Sequence, residues 1–156
     1  MGSHSGSWEN DMAGLTLTVN SGEIASGTSR KTILQIKAPA NQRLLVKSIE
    51  FQGKGSLVAD SQMLCRISRN SANFGTGTSA TPVKRNPSNP ETIQSTAAYN
   101  FTAEPTSPTT YKEFELHPMA TKQFTEPIEV PGGQSLQVDV TSSVSQTVLA
   151  SICYEE

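Results

Sequence analysis

The chain has 156 residues, a length that suits one domain and is long enough to bury a sizeable core. Hydrophobic residues make up 35% and charged residues 17%, while Ser and Thr together number 37, a mix that disfavours helices and suits short strands and loops. Regular apolar patterning excludes a charged disordered chain, and no apolar run approaches the ~20 residues that a membrane-crossing helix needs.

Residues 1–13 read as a polar, glycine-rich arm carrying isolated Trp8 and Met12. The arm has neither the positive nor the apolar region of a signal peptide. Gly6 stands where a myristoylation motif requires Ser or Thr. The domain is expected to occupy 14–156. Strict alternation predicts strands at LTLTVN (15–20), KTILQIKA (31–38), RLLVKSIEFQG (43–53) and MLCRISR (63–69). A long soft segment follows, NSANFGTGTSATPVKRNPSNPE, broken by Gly75, Gly77, Pro82, Pro87 and Pro90. A loop of that length within a domain tends to be functional. Strands resume at 92–103, 111–117, in KQFTEPIEV and SLQVDV, and at 147–155.

The stretch EPIEVPGGQSLQVDV places Gly132 and Gly133 between two alternating runs. A phosphate-cradling loop would open onto a helix, and nothing helical follows. The expectation is a hairpin, with Pro131 at the second position of a type II turn and Gly132 supplying positive φ at the third.

Eight or nine strands without a helix predict an all-β fold: a jelly-roll-like, two-sheet antiparallel sandwich of about eight strands with an extended N-terminal arm. An immunoglobulin-type fold is the alternative, although its Cys…Trp…Cys core is missing because the only tryptophan lies in the arm.

The net charge of −2 is unevenly placed. Residues 1–29 carry three acids and no base, 30–85 sum to +8, and 86–156 sum to −7. Basic and acidic strands pairing inside one sandwich would explain this. So would attraction between neighbouring subunits, or an acidic partner. Nucleic acid is not expected, since no basic run exceeds two residues.

Few residues offer chemistry. Cys65 and Cys153 sit in apolar runs and read as small buried hydrophobes, with no C-x-x-C pair for zinc. His4 lies in the arm, and His117 ends a strand before Pro118. Glu113 and Glu115 share the wet face of a strand whose dry face holds Phe114 and Leu116. Tyr99 and Phe101 alternate as a sugar platform would, and equally as a core stripe does. Asn100 begins an NFT acceptor sequon. No catalytic, cofactor or metal residue is assigned.

At IKAPANQRLLVKSIEFQG, TPVKRNPSNPETIQSTA and FELHP…EVPGGQSLQVDV the chain resembles short proteins encoded among the structural genes of tailed bacteriophages. The resemblance spans roughly 30–155. It implies a virion component on the outer capsid surface: a capsid decoration (cement) protein with a jelly-roll fold, a homotrimer partnered with the major capsid protein. It brings no catalytic residue, no membrane and no cofactor. The expected contact residues are Trp8, Met12, Phe74, Pro82 and Arg85. A glycan- or receptor-binding sandwich of a phage tail or fibre is the second expectation, and a hydrolase on a β scaffold the third.

Overall fold

In the computed structural model, the described residues are 14–54 and 62–156. They form strands only, in two antiparallel sheets packed as a sandwich and not closed into a barrel. Sheet I runs in the order β10 (Thr121–Phe124), β4 (Leu44–Gly53), β13 (Thr147–Glu155), β1 (Thr16–Asn20), β7 (Val83–Lys84). Two short strands join it: β2 (Ile24–Ala25) on β13 and β11 (Ile128–Val130) on β4. Sheet II runs β6 (Thr76–Ala80), β8 (Thr96–Ala103), β3 (Lys31–Lys37), β12 (Ser135–Thr141), β5 (Met63–Asn70), β9 (Thr109–Leu116).

Four pairs are nested in the sequence: β3 with β12, β4 with β10 and β11, β5 with β9, and β6 with β8. Such nesting is what a long folded ribbon leaves when it rolls up, and it is the jelly-roll pairing. The innermost pair departs from a regular roll. Both β6·β8 and β3·β12 lie in sheet II, and β13, β1 and β7 fill sheet I beside β4.

Alternation builds the core. Val148, Ala150, Ile152 and Tyr154 of β13 point inward, as do Leu17 and Val19 of β1, Phe51 of β4 and Leu136, Val138 and Val140 of β12. Fully burying one such side chain stabilises the fold by about 1.5–3 kcal/mol. Phe51, Phe114 and Phe124 meet edge-on and tilted, with centroids 6.3 Å and 4.9 Å apart.

Two corners carry the chain between sheets at opposite edges. Residues 81–82 link β6 to β7, and residues 117–120 link β9 to β10. At the second corner Ala120 N–H donates to the His117 carbonyl and Met119 N–H donates to His117 Nδ1. The imidazole is half-buried and serves the turn.

Two expectations are corrected. The glycines of PGG do not close a hairpin. β11 pairs with β4 in sheet I, whereas β12 pairs with β3 and β5 in sheet II, so the turn is a corner between layers. Its type II hydrogen bond runs from Gln134 N–H to the Pro131 carbonyl. Pro131 is therefore the first position, and Gly133 (φ +76) takes the left-handed third position expected of Gly132. Gly132 answers a different constraint, because a Cβ there would lie 2.8 Å from the Ala40 carbonyl oxygen. The soft segment from Asn70 is not one loop either. It contributes β6 and β7, one edge strand to each sheet.

Candidate interaction surface

The two outer faces are built differently. On β12, Leu136, Val138 and Val140 face the core, so Ser135, Gln137 and Asp139 point to the outside of sheet II. Alternation alone would leave them wet, yet all three are 0% exposed. Two crossing connections cover them. Residues 71–75 run from β5 to β6 past β12, β3 and β8, and residues 104–108 run back from β8 to β9.

Both connections are tied to the polar face beneath. Gln35 Nε2 donates to the Phe74 carbonyl at 3.1 Å, and Asn70 Nδ2 to the Asn73 carbonyl at 3.0 Å. Lys37 Nζ stands 4.1 Å over the Phe74 ring. Thr32 donates its N–H and its hydroxyl to the Glu104 carboxylate. The connections also join each other, Thr106 N–H donating to the Asn73 carbonyl. Gly75 (φ +78) permits this stacking, since a Cβ there would lie 2.5 Å from the Ala103 carbonyl oxygen. Asn73 (φ +56) and Ser107 (φ +53) also hold left-handed backbone, and the bonds to its carbonyl keep Asn73 there.

Asp139 anchors this buried strip. Arg30 donates Nε at 3.1 Å and Nη2 at 2.9 Å in a two-pronged grip. Ser68 Oγ adds a bond at 3.2 Å, and Arg66 Nη1 lies 3.5 Å away. Both arginine side chains are partly exposed, 35% and 20%, so only the carboxylate is fully taken from water.

Part of the uneven charge is paired within the fold. Arg30 and Arg66 meet Asp139, Arg66 also meets Glu113, Arg43 meets Glu129 and Lys47 meets Glu155. Each pair joins a base from 30–85 to an acid from 86–156. Lys54 instead pairs with Glu23. The sandwich-internal account of the charge split therefore holds for these groups, as cross-strand chemistry suggests.

Three groups titrate abnormally, and burial leads in each. Burial pushes the Cys65 thiol up to about 12, aided by the Asp139 charge and opposed by Arg66. It pushes the Tyr154 hydroxyl up to about 12 although Ser95 hydrogen-bonds to it. It raises the half-buried Glu104 carboxyl, against the two bonds from Thr32. All three sit in structural contacts. Tyr154, Ser95 and the Glu156 carboxylate tie the end of β13 to the approach to β8.

The outer face of sheet I has no such cover among the described residues. It presents Thr16 and Thr18 of β1, Ser48, Glu50 and Gln52 of β4, and Leu149, Ser151 and Cys153 of β13, all half-buried or exposed. Val83 at its edge is 62% exposed. Arg85 is pinned here by its backbone N–H to the Thr16 carbonyl, and its Nη1 lies 3.5 Å from Cys153 Sγ. Gly14 leaves the domain at the same spot, where Leu15 and Glu156 exchange backbone hydrogen bonds. An open cleft of about 360 Å³ is lined by Gly14, Thr16, Arg85, Asn86 and Asn89. A second, of about 260 Å³, lies at the far end of the same face between Asn20, Glu50, Gln52, Leu149 and Ser151.

The structure separates the residues expected to form contacts. Arg85 is exposed on sheet I, and Phe74 is half-buried on the cover of sheet II. Pro82 is buried in the β6–β7 corner, where its fixed φ suits a sharp change of layer, and it offers no surface to a partner. Trp8 and Met12 lie outside the described residues. Tyr99 packs partly buried against the core and Phe101 is buried outside the core cluster, with left-handed Asn100 (φ +50) between them, so the two do not form an exposed sugar platform. Glu113 and Glu115 are exposed while Leu116 is buried, as alternation required. Both cysteines are free. Among the described residues, no three His, Cys, Asp or Glu side chains gather as a metal site. No family model, curated protein or solved structure matches this chain.

Proposed function

We propose that this chain is a non-enzymatic structural protein of a tailed phage, a decoration protein that cements the outer surface of a capsid as a homotrimer. The observation that carries the reading is the convergence at one edge of sheet I. A sheet face left uncovered among the described residues, the exposed Arg85 and Gly14 lie side by side there. The phage resemblance supplies the partner, the major capsid protein.

The mechanism is multivalent adhesion. A face of mixed hydroxyl, amide, carboxylate and apolar side chains makes many weak contacts and no single strong one. Once one contact forms, the next becomes effectively intramolecular, and linked weak contacts gain ~10²–10⁴-fold over one alone.

Removing residues 1–13 tests the reading. The truncated domain keeps its melting transition and loses occupancy on purified shells, imaged as a regular array by the full chain. Undiminished occupancy would refute the part played by the segment, and no array with the full chain would refute the function. A glycan- or receptor-binding module is the rival, and glycan-array binding by the isolated domain would favour it.

A further inference from the structure

Sheet II ends in two strands that pair on one side only among the described residues. β6 is five residues long, TGTSA, and carries no charge. β9 is eight residues long, TTYKEFEL, holds no proline and is exposed over most of its length. Open edges of this kind invite another strand, and charge or proline is the usual guard. β6 has neither within its span.

We propose that β6 of one copy pairs with β9 of a second copy, making sheet II continuous around a closed head-to-tail ring. The strand directions carry this. All five pairings from β6 to β9 are antiparallel, so β6 and β9 run in opposite directions. A rotation about an axis along the strands therefore brings the β6 edge of the next copy antiparallel to β9, in ladder continuity. A ring with more than two members needs two different surfaces on each copy, and sheet II exposes two different edges.

Charge disfavours the pairing of β9 with itself. Joining β9 to β9 about a twofold axis sets residues of like facing opposite one another. Glu113 and Glu115 share the outer face, so acids would confront acids. The uncharged β6 removes that repulsion. Ser79 faces the same outer side as these glutamates, because it lies opposite Ala98, whose neighbour Gln35 points outward.

The inference deepens the trimer of the proposed function and rests on it for the size of the ring. The contact itself is read without any shell. The experiment is sedimentation of the full chain in solution up to hundreds of micromolar, because a few backbone hydrogen bonds in water make a weak contact. The wild type is expected to form a discrete assembly. Ser79→Glu places an acid against Glu113 and Glu115 and is expected to weaken assembly at least tenfold, with the melting transition unchanged. Adding Glu115→Lys is expected to restore it. A wild type that stays monomeric overturns the proposal, as does assembly indifferent to Ser79→Glu. A double variant that stays monomeric also overturns it, because it would mean that β6 pairs with β6. Intact assembly without shell attachment would sink the function and leave this contact standing.

Discussion

Sheet I and sheet II have opposite outer faces built from similar letters. In sheet II, Gln137 and Asp139 alternate with valines and are dry. In sheet I, Ser151 and Cys153 alternate with Ala150, Ile152 and Tyr154, and they remain in contact with solvent. The difference lies in the connections and not in the strands. Nesting β6·β8 inside sheet II forces two chain segments to cross β12 and β3, a span of roughly 15–20 Å at the strand spacing. Those segments become a third layer. The lesson is that period two reports which side of a strand faces the core, and says nothing of what covers the other side.

Removing the anchor of the covered face has the largest expected effect. Asp139→Ala strands Arg30, Arg66 and Ser68 around a buried gap. A loss of about 3 kcal/mol is expected. That corresponds to a fall in melting temperature of roughly 6–12 °C for a chain of this size. A loss below about 1 kcal/mol would show that the cover does not depend on this carboxylate. Gly75→Ala attacks the cover from above. It forces a side chain into left-handed backbone and against the Ala103 carbonyl, and should cost about 2 kcal/mol in a urea titration.

Glu104 sharpens the comparison through pH. Burial raises its carboxyl, so the folded state holds that proton more tightly than the unfolded chain does. Its stabilising contribution is complete below the ordinary carboxylate value and is lost as pH rises through the raised folded value. Glu104→Gln deletes this dependence. Wild type should therefore gain stability relative to the variant as pH falls through that window, and a pH-independent difference between the two melts would contradict it. The smallest effect belongs to the open face. Ser151→Ala should stay within about 0.5 kcal/mol of wild type, because that hydroxyl makes no hydrogen bond among the described residues.

Much of this was legible in advance. The last strand, 147–155, was read with the bounds it has, and Lys31–Lys37 and Leu44–Gly53 within one residue, because apolar alternation ends there at Gly, Pro or polar turns. What strands pair with was not legible. The run PGGQ encodes a left-handed turn, and the same turn serves a hairpin or a corner. β6 and β7 were hidden because Thr, Gly and Ser become strand there through pairing with β8 and β1, not through their own propensity. Of the contact residues, Arg85 proved exposed, since a charge beside prolines rarely finds a core. Pro82 misled because prolines mark loops and tight corners alike. Arg30, Glu104 and Asp139 gave no local signal. The bonds to their carboxylates span 71 to 109 residues of sequence.

The central claim is that the open face of sheet I does the adhering while the cover of sheet II only holds the fold. Co-sedimentation with purified shells of two charge variants tests it: Ser151→Arg on the open face and Thr106→Arg on the outside of the cover. Ser151→Arg is predicted to lose shell binding at unchanged melting temperature, and Thr106→Arg to bind as wild type. Binding lost through Thr106→Arg and kept by Ser151→Arg would place adhesion on the other sheet and contradict the account.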